Sequence, residues 1–315
     1  MSFISVLIAL LVEQARPLRQ GNFIHTSMRG WVRWSARNLD AGQTIHGWLT
    51  WVCAVIFPAA SAAAVYWVAD AVGGWVLAAF WSVAVLYATL GFRQFSFHFT
   101  QIRDALVDGD EDLARRVLAD WQYKSPQDLP RSEILRYAIE YSVIAAHRHV
   151  FAVLAWYCLF AVLGFGPAGA IFYRLGEFVA RYWRYRVDMR LHPVSDALQR
   201  VASAAWYVID WVPARLTAMS FAVVGSFEDA VEGWRNQASG AADDNDGVIL
   251  AAMAGAINLD LAMQTGQPQH EPRLPTPGKA LPDQQHLAVV VGLVWRTVIM
   301  WMVLLALMTL ARLLG

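Results

Sequence analysis

Apolar residues in this chain fall into long runs separated by arginine-rich stretches. Residues 49–69 carry no charge and one proline, Pro58, which predicts a kinked transmembrane helix. Residues 71–92 predict a second. Asp70 alone separates the two and Gly73-Gly74 follow, so a tight antiparallel hairpin is expected. The small residues from Ala59 to Ala64 would let helices approach closely. Residues 287–311 predict a last span, in which Arg296 must snorkel or pair with an acid. Residues 2–12 are apolar but too short to cross a bilayer, which takes about 20 residues. No basic residue precedes them and Glu13-Gln14 follow, unlike a signal peptide. They predict a half-depth or interfacial helix.

The polar stretches orient these runs. Residues 14–43 hold Arg16, Arg19, Arg29, Arg33 and Arg37, with Trp31 and Trp34 among them. Residues 93–149 are also arginine-rich and helical in period. Gly109 is expected to end one helix and Asp110 to cap the next; Pro126 and Pro130 mark a loop before a helix from Ser132. By the positive-inside rule both stretches face the cytoplasm and Asp70 faces the other side. The apolar run 150–173 is followed at once by Arg174, Arg181, Arg184, Arg186 and Arg190. A simple crossing would place that cluster outside. Residues 164–169 (GFGPAG) would break a helix, so a hairpin that returns to the side it entered is expected. A second broken unit is expected at 202–225, around Asp210, Pro213 and Arg215, packed within protein. Residues 172–189 read as an interfacial helix, 236–247 as an acidic linker, 248–263 as a short helix and the proline-rich 264–285 as extended chain.

The fold class that follows is all-α and polytopic: three full transmembrane helices, broken or re-entrant helical hairpins and a cytoplasmic helical segment. Its parts are 1–48 (apolar helix and basic interfacial segment), 49–92 (hairpin), 93–149 (cytoplasmic helices), 150–235 (broken hairpins), 236–285 (linker with a short helix) and 286–315 (last span). Composition agrees: 57% of residues are hydrophobic and 16% charged, against about 25% charged in soluble domains. The chain is expected in the bacterial inner membrane, with its polar segments mainly cytoplasmic. Net charge is zero, so no general basic field draws nucleic acid. Expected partners are the lipid bilayer and a small polar or anionic ligand, and an oligomer is left open. Cys53 and Cys158 lie in apolar runs and read as buried thiols, not a disulfide or metal framework.

Gly164, Gly166 and Gly169 spell G-x-G-x-x-G, but neither a strand before them nor a closing acid is present, so they read as a hairpin break. On a regular helix His147 and His149 diverge by about 200°, which argues against a chelating pair, and no metal site is assigned. Arg148 between them suits either an interfacial position or an anionic ligand. Asp210 and Arg215 each cost about 2.5–3.5 kcal/mol at membrane depth. They form either an ion pair holding a broken hairpin or the wall of a polar cavity. Glu177 and Arg181, four apart, read as a surface pair. The candidate ligand-binding residues are Glu13, His98, Arg103, Glu140, Arg148, Arg174, Asp210 and Arg215. No catalytic residue is assigned.

Gly109-Asp110 with residues 114–118, residues 134–140, residues 164–174 and residues 213–217 together resemble segments of the CobD/CbiB family of cobalamin-biosynthesis proteins. Gly109-Asp110 followed by residues 114–118 (ARRVL) is similar to the family's glycine-aspartate…alanine-arginine pattern. Residues 134–140 look like its isoleucine-glutamate stretch, residues 164–174 (GFGPAGAIFYR) its tyrosine-arginine segment, and residues 213–217 (PARLT) its signature. Residues 252–259 resemble a further alanine-glycine-alanine stretch. The family's acidic clusters are replaced here by residues 146–151 (AHRHVF) and 175–182 (LGEFVARY). The form of residues 210–216 (DWVPARL), Glu13, Arg93 with His98, and Arg148 look closer to AmpE, the member of the same superfamily associated with β-lactamase induction. That likeness implies an inner-membrane sensor or signalling modulator. The alternative implied by the family is an adenosylcobinamide-phosphate synthase-type ligase, joining cobyric acid to an aminopropanol (phosphate) in an amide bond with ATP and Mg²⁺.

Overall fold

Hydrocarbon offers a backbone no hydrogen-bond partners, so apolar runs of this length satisfy themselves as helices. The computed structural model describes residues 2–16, 23–122, 129–188, 194–240, 244–261 and 279–314, without the side chains of residues 2, 23, 92–98, 120–122, 236–240 and 312–314. The expectations for Arg19, Arg190 and most of the proline-rich stretch lie outside the described residues. Among the described residues twelve α-helices follow in order: α1 (Ser2–Ala15), α2 (Phe23–Leu39), α3 (Thr44–Thr89), α4 (Phe92–Val107), α5 (Glu111–Gln122), α6 (Arg131–Ala146), α7 (Ala152–Val162), α8 (Ala168–Asp188), α9 (Asp196–Val224), α10 (Phe227–Gly240), α11 (Asn245–Ala256) and α12 (Gln284–Leu314). Among the described residues the extended pairing is one isolated bridge, Leu259 with Ala280.

Among the described residues four helices are long and apolar enough to cross a membrane: Thr44–Thr89, Arg131–Val162, Asp196–Val224 and Gln284–Ala311. This revises the expected three full spans in two places. The run from Arg131 to Val162 is one helical rod, because a π-helical turn at His147–Phe151 joins α6 to α7 without a break. And α9 runs unbroken through Pro213.

The chain forms two compact units. The first comprises residues 1–91, 148–213 and 305–315. In it α3 doubles back at Gly74, whose φ of 63° and ψ of −164° leave the helical region. Trp81 Nε1 donates to the Ala62 carbonyl at 3.1 Å. In one straight helix those residues would stand about 28 Å apart. The expected hairpin is therefore present, turning at Gly74, four residues past Asp70. Helices α1, α2 and α8 pack on α3, and α7 packs on α8. The α7–α8 turn uses Gly164 and Gly166 at positive φ, where the glycine-rich break is predicted. Apolar faces gain nothing by leaving lipid for each other, so close approach and interhelical hydrogen bonds hold such a unit. A Cβ on Gly169 would stand 2.0 Å from the Trp156 carbonyl oxygen, so α7 and α8 meet backbone to backbone there.

Pro213 shows why α9 does not break. Proline lacks an N–H and leaves the carbonyl of residue i−4, Ile209, without its helical donor. Trp156 Nε1 on α7 donates to that Ile209 carbonyl at 3.1 Å. A tryptophan from another helix thus replaces the missing bond. Trp156→Phe is expected to destabilise by about 1–2 kcal/mol. In a Pro213→Ala background, where the helix supplies its own donor, the same change should cost much less. A double-mutant cycle on thermal unfolding in detergent measures the difference; equal costs in both backgrounds would refute the link.

The second unit comprises residues 92–147 and 214–304. There α4, α5 and α6 pack together, α11 packs on α6, and α10 on α11. The predicted helix stop at Gly109 and cap at Asp110 hold: Gly109 has φ 78°, and Asp110 Oδ1 accepts from Leu113 N at 2.9 Å. Trp301 Nε1 donates to Ser220 Oγ at 2.9 Å. Arg296 is exposed and its Nε reaches the Gly292 carbonyl of its own helix at 3.3 Å, a geometry open to snorkelling.

Candidate functional site

The first unit gathers a buried polar cluster from three elements. On α8, Tyr173, Glu177 and Arg181 stand at i, i+4 and i+8, on one face, with Arg174 beside them. Trp206 and Asp210 stand four apart on α9, and the π-helical turn supplies Arg148 and His149. Tyr173 is 0% exposed, Asp210 1% and Glu177 2%. Polar groups this deep need partners. Tyr173 donates its phenolic O–H to Asp210 Oδ1 at 2.8 Å. Arg174 Nη1 lies 2.9 Å from Glu177 Oε2 and Arg181 Nη1 3.1 Å from Glu177 Oε1, so one carboxylate holds two guanidiniums. The Arg148 guanidinium sits 5.9 Å over the Trp206 ring, which also contacts Tyr173 with ring centroids 5.3 Å apart. His149 lies in the field of Arg174, Glu177, Arg181 and Arg148.

Burial alone would raise the Glu177 carboxyl. The charges of Arg181 and Arg174, helped by His149 and Arg148, outweigh it and hold the group at about 2. Glu177 is therefore an anion throughout the physiological range. Guanidinium forks match planar oxyanions, so arginines held in this way suit a carboxylate or phosphate ligand. Around the carboxylates, both Glu177 oxygens face guanidiniums and Asp210 Oδ1 accepts from Tyr173. No group of three or more metal-ligating side chains occurs among the described residues.

Of the residues predicted from sequence, Arg148, Arg174 and Asp210 come together here. Glu13 is buried on α1 in the same unit, 2% exposed, and α1 packs on α3 and α7. The others belong to the second unit. Glu140 is bound to Arg136 at 2.9 Å, and Arg136 also holds Glu133 at 2.5 Å. Arg103 is half-buried and pairs with its neighbour Asp104 at 2.8 Å. Arg215 donates to Asn245 Oδ1. The side chain of His98 lies outside the described residues. Asp210 and Arg215 thus have different partners. Five residues apart on an unbroken helix, they point about 140° away from each other. His147 is buried with Nδ1 2.9 Å from Thr217 Oγ1, and it diverges from His149 as expected. The cluster adds Tyr173, His149, Glu177, Arg181 and Trp206, which sequence reasoning missed as site residues. The surface reading of Glu177–Arg181 is half right: Arg181 is 62% exposed, but Glu177 is buried.

Comparison with known proteins bears on this cluster. Proteins named cobalamin biosynthesis protein CobD are similar to the chain in three organisms. The one from Chromobacterium violaceum is 31% identical over 62% of this chain and 61% of its own length. The one from Stutzerimonas stutzeri is 29% identical over 84% and 82%. The one from Leptospira interrogans is 25% identical over 68% and 67%. The chain thus spans less than two thirds of the length of the first relative. No solved structure matches it. These relatives favour the CobD/CbiB alternative and lend nothing to an AmpE-like signalling role. The model of the CobD/CbiB protein family matches residues 7–294, and the chain belongs to that family.

Proposed function

We propose that this protein acts in cobalamin biosynthesis as an amide ligase, joining the carboxylate of cobyric acid to the amine of an aminopropanol (phosphate) at the expense of ATP. The observation that carries the proposal is the gathering of half-buried Arg148 and Arg174 and buried Asp210 in one cluster of a CobD/CbiB family chain. The reaction brings together a carboxylate, a phosphate ester and a triphosphate, all anionic. Arg174 and Arg148 would bind and orient such groups, with Glu177 fixing the Arg174 guanidinium from behind. The carboxylate is made reactive by phosphoryl transfer. The amine then attacks, the C–N bond forms, the phosphate leaves and one proton must go from the nitrogen to a base. Asp210, held by Tyr173, is the carboxylate placed to receive it.

The test is complementation. A strain lacking its own CobD-type activity and supplied with cobyric acid should regain cobalamin-dependent growth when it expresses this chain. Asp210→Asn and Arg174→Lys, which keeps the charge beside Glu177 and loses the guanidinium fork, should cut product formation at least about 100-fold, with the membrane level of each variant unchanged. A well-expressed wild-type chain that fails to rescue would sink the reading. Full activity of both variants would remove the site.

A further inference from the structure

Two amphipathic helices of the first unit carry an arginine surface that the proposed ligase chemistry leaves unused. In α2, Arg29, Arg33 and Arg37 stand at i, i+4 and i+8, and all three are exposed. They form a single row on one helix face. In the C-terminal half of α8, Arg184 is exposed and Arg186 half-buried. The two helices both pack on α3, and long side chains reach from one to the other. Tyr182 of α8 is hydrogen-bonded by Arg33 of α2 and by Arg186. Arg174 of α8 acts on His25 of α2. His25 to Arg33 and Arg174 to Tyr182 are each eight residues, so the helices run parallel and in step for about two turns.

Acid is nearly absent from this surface. Helix α2 has none, and on α8 Glu177 is buried, which leaves Asp188. Asp40, just past α2, is engaged by Ser195, whose N–H and Oγ donate at 2.8 and 2.6 Å. Beside the arginines stand large exposed amphipathic rings, Trp34 at 49% and Tyr185 at 42%. Neither helix is among those long and apolar enough to span. A row of cations flanked by exposed Trp and Tyr, on helices attached to a membrane hairpin, has the chemistry of a headgroup-level surface. Burial, with the charges of Arg174 and Arg29, lowers the His25 pKa, so the histidine does not add to the row.

We propose that the α2–α8 surface is a docking platform for the headgroups of anionic phospholipids, with Arg29, Arg33, Arg37 and Arg184 reading the lipid phosphates and Trp34 and Tyr185 seated at the headgroup boundary. The proposal does not rest on the ligase reading, since none of these arginines belongs to the buried cluster.

The experiment compares the full chain with a triple variant, Arg29→Gln, Arg37→Gln and Arg184→Gln, each in nanodiscs of mixed phosphatidylglycerol and phosphatidylcholine. Lipids retained after gentle detergent extraction are counted by native mass spectrometry. The wild type should retain phosphatidylglycerol in preference to phosphatidylcholine, and each arginine lost should cut the preference by about fivefold. The matching Lys triple variant, which keeps the charge, should retain it, and this arm also controls for misfolding. Equal retention by wild type and Gln variant, or loss of preference in the Lys variant, would overturn the proposal. Inorganic phosphate and glycerol phosphate form a third arm. If millimolar amounts of either displace the retained lipid, the surface is a soluble-anion site and the lipid assignment fails.

Discussion

Glu177→Gln is expected to destabilise the protein at pH 7 by about 3 kcal/mol. The carboxylate is buried between Arg174 and Arg181, and removing it leaves a guanidinium on α8 that is itself only 16% exposed. Breaking one side of such a pair costs more than the pair contributes, because the surviving charge keeps its desolvation. The same magnitude follows from titration. The group titrates at about 2 in the folded protein against an ordinary 4.5, and each unit is worth about 1.4 kcal/mol. That sum is an upper bound, since solvent around Arg181 screens its share. The folded pKa is depressed, so the unfolded chain takes up the proton first. The stabilisation is complete above about 4.5 and is lost as pH falls towards 2. Unfolding of wild type and variant in detergent should therefore differ by a constant gap from pH 7 to 5. The gap should narrow on further acidification. A gap that stays constant down to pH 3 would mean that Glu177 acts through packing alone.

How much of this was legible along the chain depends on the distance over which each decision is made. The α3 hairpin and the α7–α8 turn were readable, because Gly73-Gly74 and the glycine-rich 164–169 stretch act on their own backbone. Asp210 was flagged because a charge at membrane depth demands an explanation wherever it points, and Arg174 because it opens a basic cluster directly after an apolar run. Pro213 misled for the opposite reason. The local rule says break, and the donor that repairs the helix comes from Trp156, 57 residues earlier in the chain. The same distance hides the bonds of Trp67, Trp81, Trp156 and Trp301, each of which donates to a carbonyl or hydroxyl on another segment. Tyr173 and Glu177 were hidden because α8 looks amphipathic and surface-bound in sequence. Only its packing on α3 and α7 shows that its polar residues include a buried set. The ion-pair and cavity readings of Asp210 and Arg215 both assumed a break at Pro213. Once α9 is continuous, five residues carry the two side chains to different faces.

Gly169→Ala is expected to have the largest effect on the fold, and the reason is one contact. The added Cβ would lie 2.0 Å from the Trp156 carbonyl oxygen and 2.6 Å from its carbonyl carbon. Both are backbone atoms, so no flexible side chain can move aside. Helix α7 must shift by more than an ångström or α8 must tilt away from it. Either movement draws Trp156 off the Ile209 carbonyl, which then faces a proline-broken ladder without a donor. It also displaces Tyr173 and Arg174, one turn along α8 from the glycine. Overpacking of this severity, with a lost interhelical bond, should exceed about 3 kcal/mol. The variant should accumulate in membranes at a small fraction of the wild-type level and unfold at markedly lower temperature in detergent. Gly30→Ala is the control of opposite sign. It lies within α2 with nothing within 4 Å of its added Cβ, and an alanine there removes glycine's backbone freedom in a helix, worth roughly 0.5–1 kcal/mol. Gly30→Ala should therefore be neutral or slightly stabilising. If the two variants behave alike, the α7–α8 backbone approach does not hold the cluster in place, and the positions of Tyr173, Arg174 and Asp210 need another cause.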